Sequence, residues 1–478
     1  MNLNDNKIST EAEINASLRV SMLALFGGAA LWLIVGLVLG IAAALTFHQP
    51  DMFADCACLT YGHAAPAAND ALLYGFCIPA GLGVILWIFS RLGQTPLALP
   101  IVPVVAANLW HLGVFIGLVG ILFGQTSGHT WLEFCRASSV LLFAAFILIA
   151  VTAAATFGAR RNRELQPAHW FLFAALLWFP WIYATANLLL APNAPVRGVV
   201  QSIIGWWFAN NLVFVWLALV GIGTAFYLLP KLAARPLATT GYALFAFFTL
   251  IFFGTWCGIP LSAPVPAWLP TLSRVAGALL ILPLIAFAII TIKTVFGAKV
   301  SCYGGPFCFA RFGMAGFILS GLMYVAEICP HRSHVMEFSW FSPAQVQLQL
   351  LGFFAMIIFG AIYELLPAVM EKPLPFPKIA KAHYFISVIG VVLFVIPLAI
   401  GGVIQGLKLQ DANIPLADVN TSALMFLRVS TTGQIFLLLG ALLFALNIFV
   451  MTIQWKIALL KTAFAAITAP LPVSEVKA

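Results

Sequence analysis

Few side chains in this sequence could hold a metal or move a proton. Its eight histidines are His48, His63, His111, His129, His169, His331, His334 and His383, and the string Cys329-Pro330-His331-Arg332-Ser333-His334 sets one thiol and two imidazoles within six residues. Those donors suit copper or zinc, yet the spacing matches no established site, so a solvated loop competes with a metal centre. No Cys-x-x-Cys-His string is present to attach a haem covalently, and no Walker, Gly-x-Gly-x-x-Gly or His-Glu-x-x-His string builds a soluble-type active site.

Within the apolar stretches polar residues are fewer still. Only His111 is expected deep in one of them, with no second imidazole at its depth to complete a bis-histidine haem site; a packed or interhelically bonded histidine is the competing reading. Asn210, Gln345 and Gln347 lie in or at the entrance of apolar runs, where amides bond backbone or neighbouring helices for about 1 kcal/mol. Glu364 and Glu327 fall near the ends of two runs, so no file of acids is expected to cross, which argues against a proton pump or an ion-coupled transporter.

The elements that must position these residues follow from composition. The chain has 478 residues, 63% hydrophobic and 8% charged, with a mean hydropathy of +1.04, whereas soluble domains carry roughly 25% charged residues. Apolar runs near 20-47, 71-90, 99-124, 137-157, 170-192, 202-229, 238-259, 271-292, 312-328, 345-369, 383-406 and 424-453 are each long enough to cross ~30 Å of hydrocarbon. The expected fold is all-α: a polytopic integral membrane protein of about twelve transmembrane helices in one domain, residues 20-453, between a cytoplasmic segment 1-19 and a cytoplasmic tail 454-478. The first run exceeds the ~7–15 residues of a signal h-region and is expected to remain as the first helix.

The net charge of +8 does not point to nucleic acid, because the basic residues follow topology. With residue 1 inside, seventeen Lys and Arg fall in inside segments and six outside, which places both termini in the cytoplasm. The oxidising outer side permits a disulfide among Cys56, Cys58, Cys135 and Cys329; Cys302 and Cys308, expected inside, and Cys77 and Cys257, expected buried, are read as free thiols. Longer outer segments at 48-70, 260-270, 329-344 and 407-423 offer docking surface for a periplasmic partner.

Several strings resemble subunit I of the haem-copper oxidases, most nearly the C-family, cbb-type cytochrome c oxidases. Gly205-Trp206-Trp207-Phe208-Ala209-Asn210-Asn211, followed by Phe226-Tyr227-Leu228-Leu229-Pro230-Lys231, is similar to the family's Trp-Trp-Tyr-Gly-His-Asn run ending in Tyr-Tyr-x-x-Pro-Lys. Phe359-Gly360-Ala361-Ile362-Tyr363 with Pro367, then Ile404-Gln405-Gly406-Leu407, Arg428, Tyr61-Gly62 and Pro66 extend the likeness over roughly residues 60-450. The resemblance implies two haems and a copper held by six buried histidines. Carried over position by position, those ligands fall on Ala68, Asn210, Ile259, Pro260, Gln345 and Gln347, and the helix-seven tyrosine falls on Gly254.

Imidazole is the ligand this chemistry needs, and apolar side chains cannot replace it. The resemblance therefore implies a non-catalytic membrane subunit of a respiratory electron-transfer complex, in a bacterial-type inner membrane. It would carry no catalytic, metal-binding or cofactor-binding residue of its own and would scaffold membrane-attached or periplasmic cytochrome c-type subunits. The alternatives are an active cbb-type oxidase of unusual ligation, with haem b and copper, and a transporter that reuses the bundle.

Overall fold

The computed structural model describes residues 3–190, 196–300 and 303–468. Among them there is no strand. Eleven helices have the length and apolarity to cross a membrane: α1 Glu11–His48, α2 Tyr61–Gly93, α3 Val102–Leu122, α4 Arg136–Gly158, α5 Pro167–Leu189 and α6 Val199–Ala233, then α8 Trp268–Val295, α9 Pro306–Glu327, α10 Phe341–Met370, α11 Pro377–Leu409 and α12 Leu416–Phe464. Between them lies a shorter apolar helix, α7 Thr240–Gly254. All twelve coincide with the apolar runs, as lipid requires: each backbone polar group must be paired within its own segment. Helix continues outward past the runs at both ends of the chain, from Leu3 in α1 and to Thr468 in α12; residues 469–478 of the expected tail lie outside the described residues.

Helix α7 differs from expectation. It stops at Gly254 rather than near residue 259, and the chain turns back through Gly258, at φ +95, before Pro260. Glycine admits that left-handed backbone and proline cannot continue a helix. At 15 residues α7 is roughly 22 Å long, short of a full crossing.

Burial sorts the bundle into a centre and a rim. The apolar windows of α2, α6 and α10 are 100%, 89% and 83% buried, against 33–44% for the other long helices. Three helices are therefore wrapped by protein on all sides, while the rim turns Phe115, Leu177, Phe252 and Ile453 outward toward lipid. All three central helices end in a residue of left-handed conformation, Gln94, Ala234 and Glu371, whose N–H groups return to the last turn. Ion pairs Arg91–Glu11, Lys231–Glu364 and Arg19–Glu371 tie these ends to one another and to α1.

Helices close on each other through small residues, because lipid supplies no hydrophobic drive for their association. A methyl on Gly316 of α9 would lie 2.5 Å from the Gly352 carbonyl of α10, and one on Gly360 2.8 Å from the Pro306 carbonyl; both meet backbone that cannot give way. Gly316→Ala is expected to lower stability by about 1–3 kcal/mol. Gly27→Ala, where nothing lies within 4 Å, is expected to leave the thermal melting of the detergent-purified protein unchanged.

Candidate functional site

Each central helix departs from α geometry once. Ala71–Cys77 in α2, Asn211–Trp216 in α6 and Leu348–Ala355 in α10 are π-helical, a rare conformation found most often at functional sites. The positions singled out in the sequence sit beside these segments. Ala68 lies on the turn before the first, Asn210 adjoins the second, and Gln345 and Gln347 lead into the third.

Two cavities open where these segments meet. The first, about 50 Å³, is lined by Asn210, Gly254, Ser320, Tyr324 and Gln345 with apolar neighbours. Asn210 is buried, and its Nδ2 donates to the Gly254 carbonyl at 2.8 Å. Asn211 Nδ2 donates to the Thr255 carbonyl at 3.2 Å, so paired amides of α6 cap the frayed end of α7, whose last carbonyls have no helical partner. Gln345 donates from Nε2 to the carbonyl and hydroxyl of Ser320 at 3.3 and 3.2 Å. Gly258 N donates to the Tyr324 hydroxyl at 3.1 Å. A space of this size admits a few waters.

The second cavity, about 200 Å³, lies among α1, α2, α10, α11 and α12. Ala68, Asn69 and Gln347 share its wall, and Gln347 Nε2 donates to Asn69 Oδ1 at 3.2 Å. Tertiary structure thus pairs Ala68 with Gln347 and Asn210 with Gln345. Ile259 and Pro260 line neither cavity: both follow the break in α7, and Ile259 N donates to Ser273 Oγ.

His111 bonds the Ala24 carbonyl of α1 at 3.2 Å and packs on Gly28. His383, at the start of the apolar run 383-406, is wholly buried, bonded to the Tyr363 hydroxyl at 3.0 Å and ringed by Phe309, Phe359 and Phe444. The ends of α9, α10 and α12 cover it, a burial that position along one helix cannot reveal. The outer donors do not assemble: among the described residues no three His, Cys, Asp or Glu side chains converge.

Among the cysteines, Cys56, Cys58, Cys77, Cys135, Cys257 and Cys329 are free, with the Cys56 and Cys58 sulfurs 3.0 Å apart. Cys308 corrects the expectation of a free thiol. It is disulfide-bonded and buried at the start of α9, because bridging depends on a β-carbon separation of about 4 Å that only the fold sets; Cys302 lies outside the described residues.

With this geometry in place, comparison with known proteins is informative. Residues 20–436 match the family model described as Cytochrome C and Quinol oxidase polypeptide I. The chain is 24% identical over 444 residues to the "Cbb3-type cytochrome c oxidase subunit CcoN1" of Stutzerimonas stutzeri, covering 89% of this chain and 92% of that one. It is 25% identical to the "Cytochrome c oxidase subunit 1 homolog" of Azorhizobium caulinodans, over 88% of this chain and 80% of that one. A cryo-EM structure of a heme-copper terminal oxidase dimer superposes with a TM-score of 0.73 at 13% identity, covering 91% of this chain and 84% of that one, which establishes likeness of fold.

One buried polar pair was missed in the sequence. Asp70 of α2 and Glu133, in the outer connection before α4, are 1% and 9% exposed and neighbour each other, and neither oxygen of Asp70 has a hydrogen-bond partner. Tyr74 closes the pocket by donating to the Trp131 carbonyl at 2.6 Å. The signal was an acid beside an apolar run and another inside Trp131-Leu132-Glu133-Phe134. Burial pushes the Glu133 carboxyl from 4.5 up to about 7, against the opposing pull of backbone N–H groups and Asp70. The folded chain then holds this proton more tightly than the unfolded chain, so the linked stability is complete below pH 4.5 and is lost as pH rises through 7. Melting temperature should fall between pH 5 and pH 8, and Glu133→Gln should flatten that dependence.

Proposed function

We propose a function from one premise: this chain belongs to the Cytochrome C and Quinol oxidase polypeptide I family. It acts as a non-catalytic membrane subunit of a respiratory electron-transfer complex, holding c-type cytochrome subunits in place without reducing oxygen itself. One observation carries the reading. The two cavities flanked by π-helical turns present Ala68 with Gln347, and Asn210 with Gln345.

These residues do not fit the family's metals. Haem iron in proteins is held by imidazole, thiolate, thioether or phenolate, and the copper of such a centre by imidazole. A methyl group is no ligand, and the three amides, which donate from nitrogen to Gly254, Ser320 and Asn69, offer only an amide oxygen, which is not among these ligand types. The ring hydroxyl at the first cavity, on Tyr324, already accepts from Gly258 N. That cavity, at about 50 Å³, is also far below the size of a macrocycle.

What remains of an oxidase core is its frame. The twelve-helix domain spans residues 20-453, and the excess of basic residues sets both termini on the cytoplasmic side of an inner-type membrane. On the opposite face the proline-rich stretch after α7 is pinned by Leu261 N and Ser262 Oγ to the Glu337 carboxylate. This braced outer surface is where a membrane-attached cytochrome would sit. Purification of the complex from its native membranes, followed by reduced-minus-oxidised spectra and metal analysis of each subunit, is expected to show c-type cytochrome in the partners and no haem or copper in this chain. A stoichiometric b-type haem in the isolated chain would overturn the proposal.

A further inference from the structure

One long stretch of the chain carries positive charge with no counter-charge of its own. No Asp or Glu occurs between Glu164 and Glu327, while Lys231, Arg235, Lys293 and Lys299 fall there on the side read as cytoplasmic. At the ends of the central helices basic residues are paired, as in Arg91–Glu11 and Lys231–Glu364, whereas Arg235, Lys293 and Lys299 form no ion pair among the described residues. Arg235 is held in place: its Nη1 donates to the Phe296 carbonyl at 2.6 Å, and nearby Ala238 N donates to Thr294 Oγ1 at 3.2 Å. The connection before α7 is thus braced against the end of α8, with guanidinium donors to spare.

At this end of the bundle an apolar groove of about 540 Å³ runs between the two helices, lined by Gly241, Tyr242 and Phe245 of α7 and by Leu282, Ile285 and Ile289 of α8. Ile285 and Ile289 are one helical turn apart, and Lys293 stands one turn further on, so the apolar stripe ends in an ammonium. From Leu282 to Lys293 the helix rises roughly 16 Å, about half of a ~30 Å hydrocarbon core and hence the depth of one leaflet. Tyr242 and Phe296, 46% and 80% exposed, lie at the mouth as aromatic residues do at a membrane interface. A methyl built on Gly241 would meet nothing within 4 Å, so the mouth is open.

We propose that the groove between α7 and α8 is a binding site for an anionic phospholipid, with one acyl chain along Leu282, Ile285 and Ile289 and the head-group phosphate held by Arg235 and Lys293. Charge complementarity selects this occupant. A zwitterionic phospholipid fills the same groove but sets its own ammonium among basic residues, and a water-soluble anion leaves the apolar stripe uncovered. Basic pockets between membrane helices on the cytoplasmic side suit anionic head groups. The inference stands independently of whether the chain holds a haem.

The test is native mass spectrometry of the full-length, detergent-purified chain offered equal amounts of phosphatidylglycerol and phosphatidylcholine with identical acyl chains. Each basic side chain at a membrane surface gives about a fivefold gain for an anionic lipid, so one phosphatidylglycerol is expected to stay bound with about tenfold or greater preference. Arg235→Gln combined with Lys293→Gln should bring the two lipids near parity. Lys293→Gln alone breaks no bond within the protein; it should lower the preference about fivefold and carries the test if the double variant fails to fold. Ile285→Trp fills the groove from an exposed position and should weaken binding of both lipids. Lys456→Gln with Lys461→Gln, at the end of α12 on the same side, should leave the preference unchanged. Equal binding of the two lipids by the unaltered chain overturns the inference. So does a preference that the Arg235 and Lys293 variants leave intact, one lost equally in the Lys456 and Lys461 variant, or binding that Ile285→Trp does not weaken.

Discussion

In hydrocarbon a peptide carbonyl with no donor is costly, and the arrangement around the Gly254 carbonyl follows from that constraint. Helix α7 ends early, leaving carbonyls at a depth where water is not the ready partner it is at the surface. Asn210 and Asn211 of α6 provide the donors. Asn210 thus serves as a helix cap, and that contact draws α6, the α7 end and the α9 face carrying Tyr324 and Ser320 together over a cavity of about 50 Å³. An imidazole there would need a different end to α7 as well as a different residue at 210.

The three π-helical segments add a second layer. A widened turn re-aims the side chains that flank it and leaves backbone to be satisfied by neighbours, which is tolerable only on helices wrapped by protein, as α2, α6 and α10 are. Ala68, Asn210, Gln345 and Gln347, the positions to which the resemblance assigned the family's ligands, lie next to these segments and carry amide or methyl side chains. Function resides in such side chains rather than in the frame, so membership of an oxidase family does not by itself confer oxidase chemistry on this chain.

The two cavities have diverged. The first is closed by aromatic side chains and by Asn210 and Gln345, which donate to the Gly254 and Ser320 carbonyls. The second keeps free acceptors, aromatic walls and a neighbouring hollow. Polar groups left unpaired in a membrane core call for an explanation, and in the second cavity they are Gln347 Oε1 and Gln434 Oε1.

Length and periodicity of apolar residues are local properties, and they made the twelve apolar helices legible, while motif strings carried the family likeness. Residue types at Ala68, Asn210, Gln345 and Gln347 were likewise legible one by one. Their grouping was not, since Gln347 meets Asn69 across 278 residues and Asn210 meets Gly254 across 44. The same holds for the early stop of α7, the burial of His383, the bridge at Cys308 and the Asp70–Glu133 pair. Each depends on which helix ends come to lie against one another, and in a bundle held by close packing and paired polar groups that is settled only when all the helices are in place.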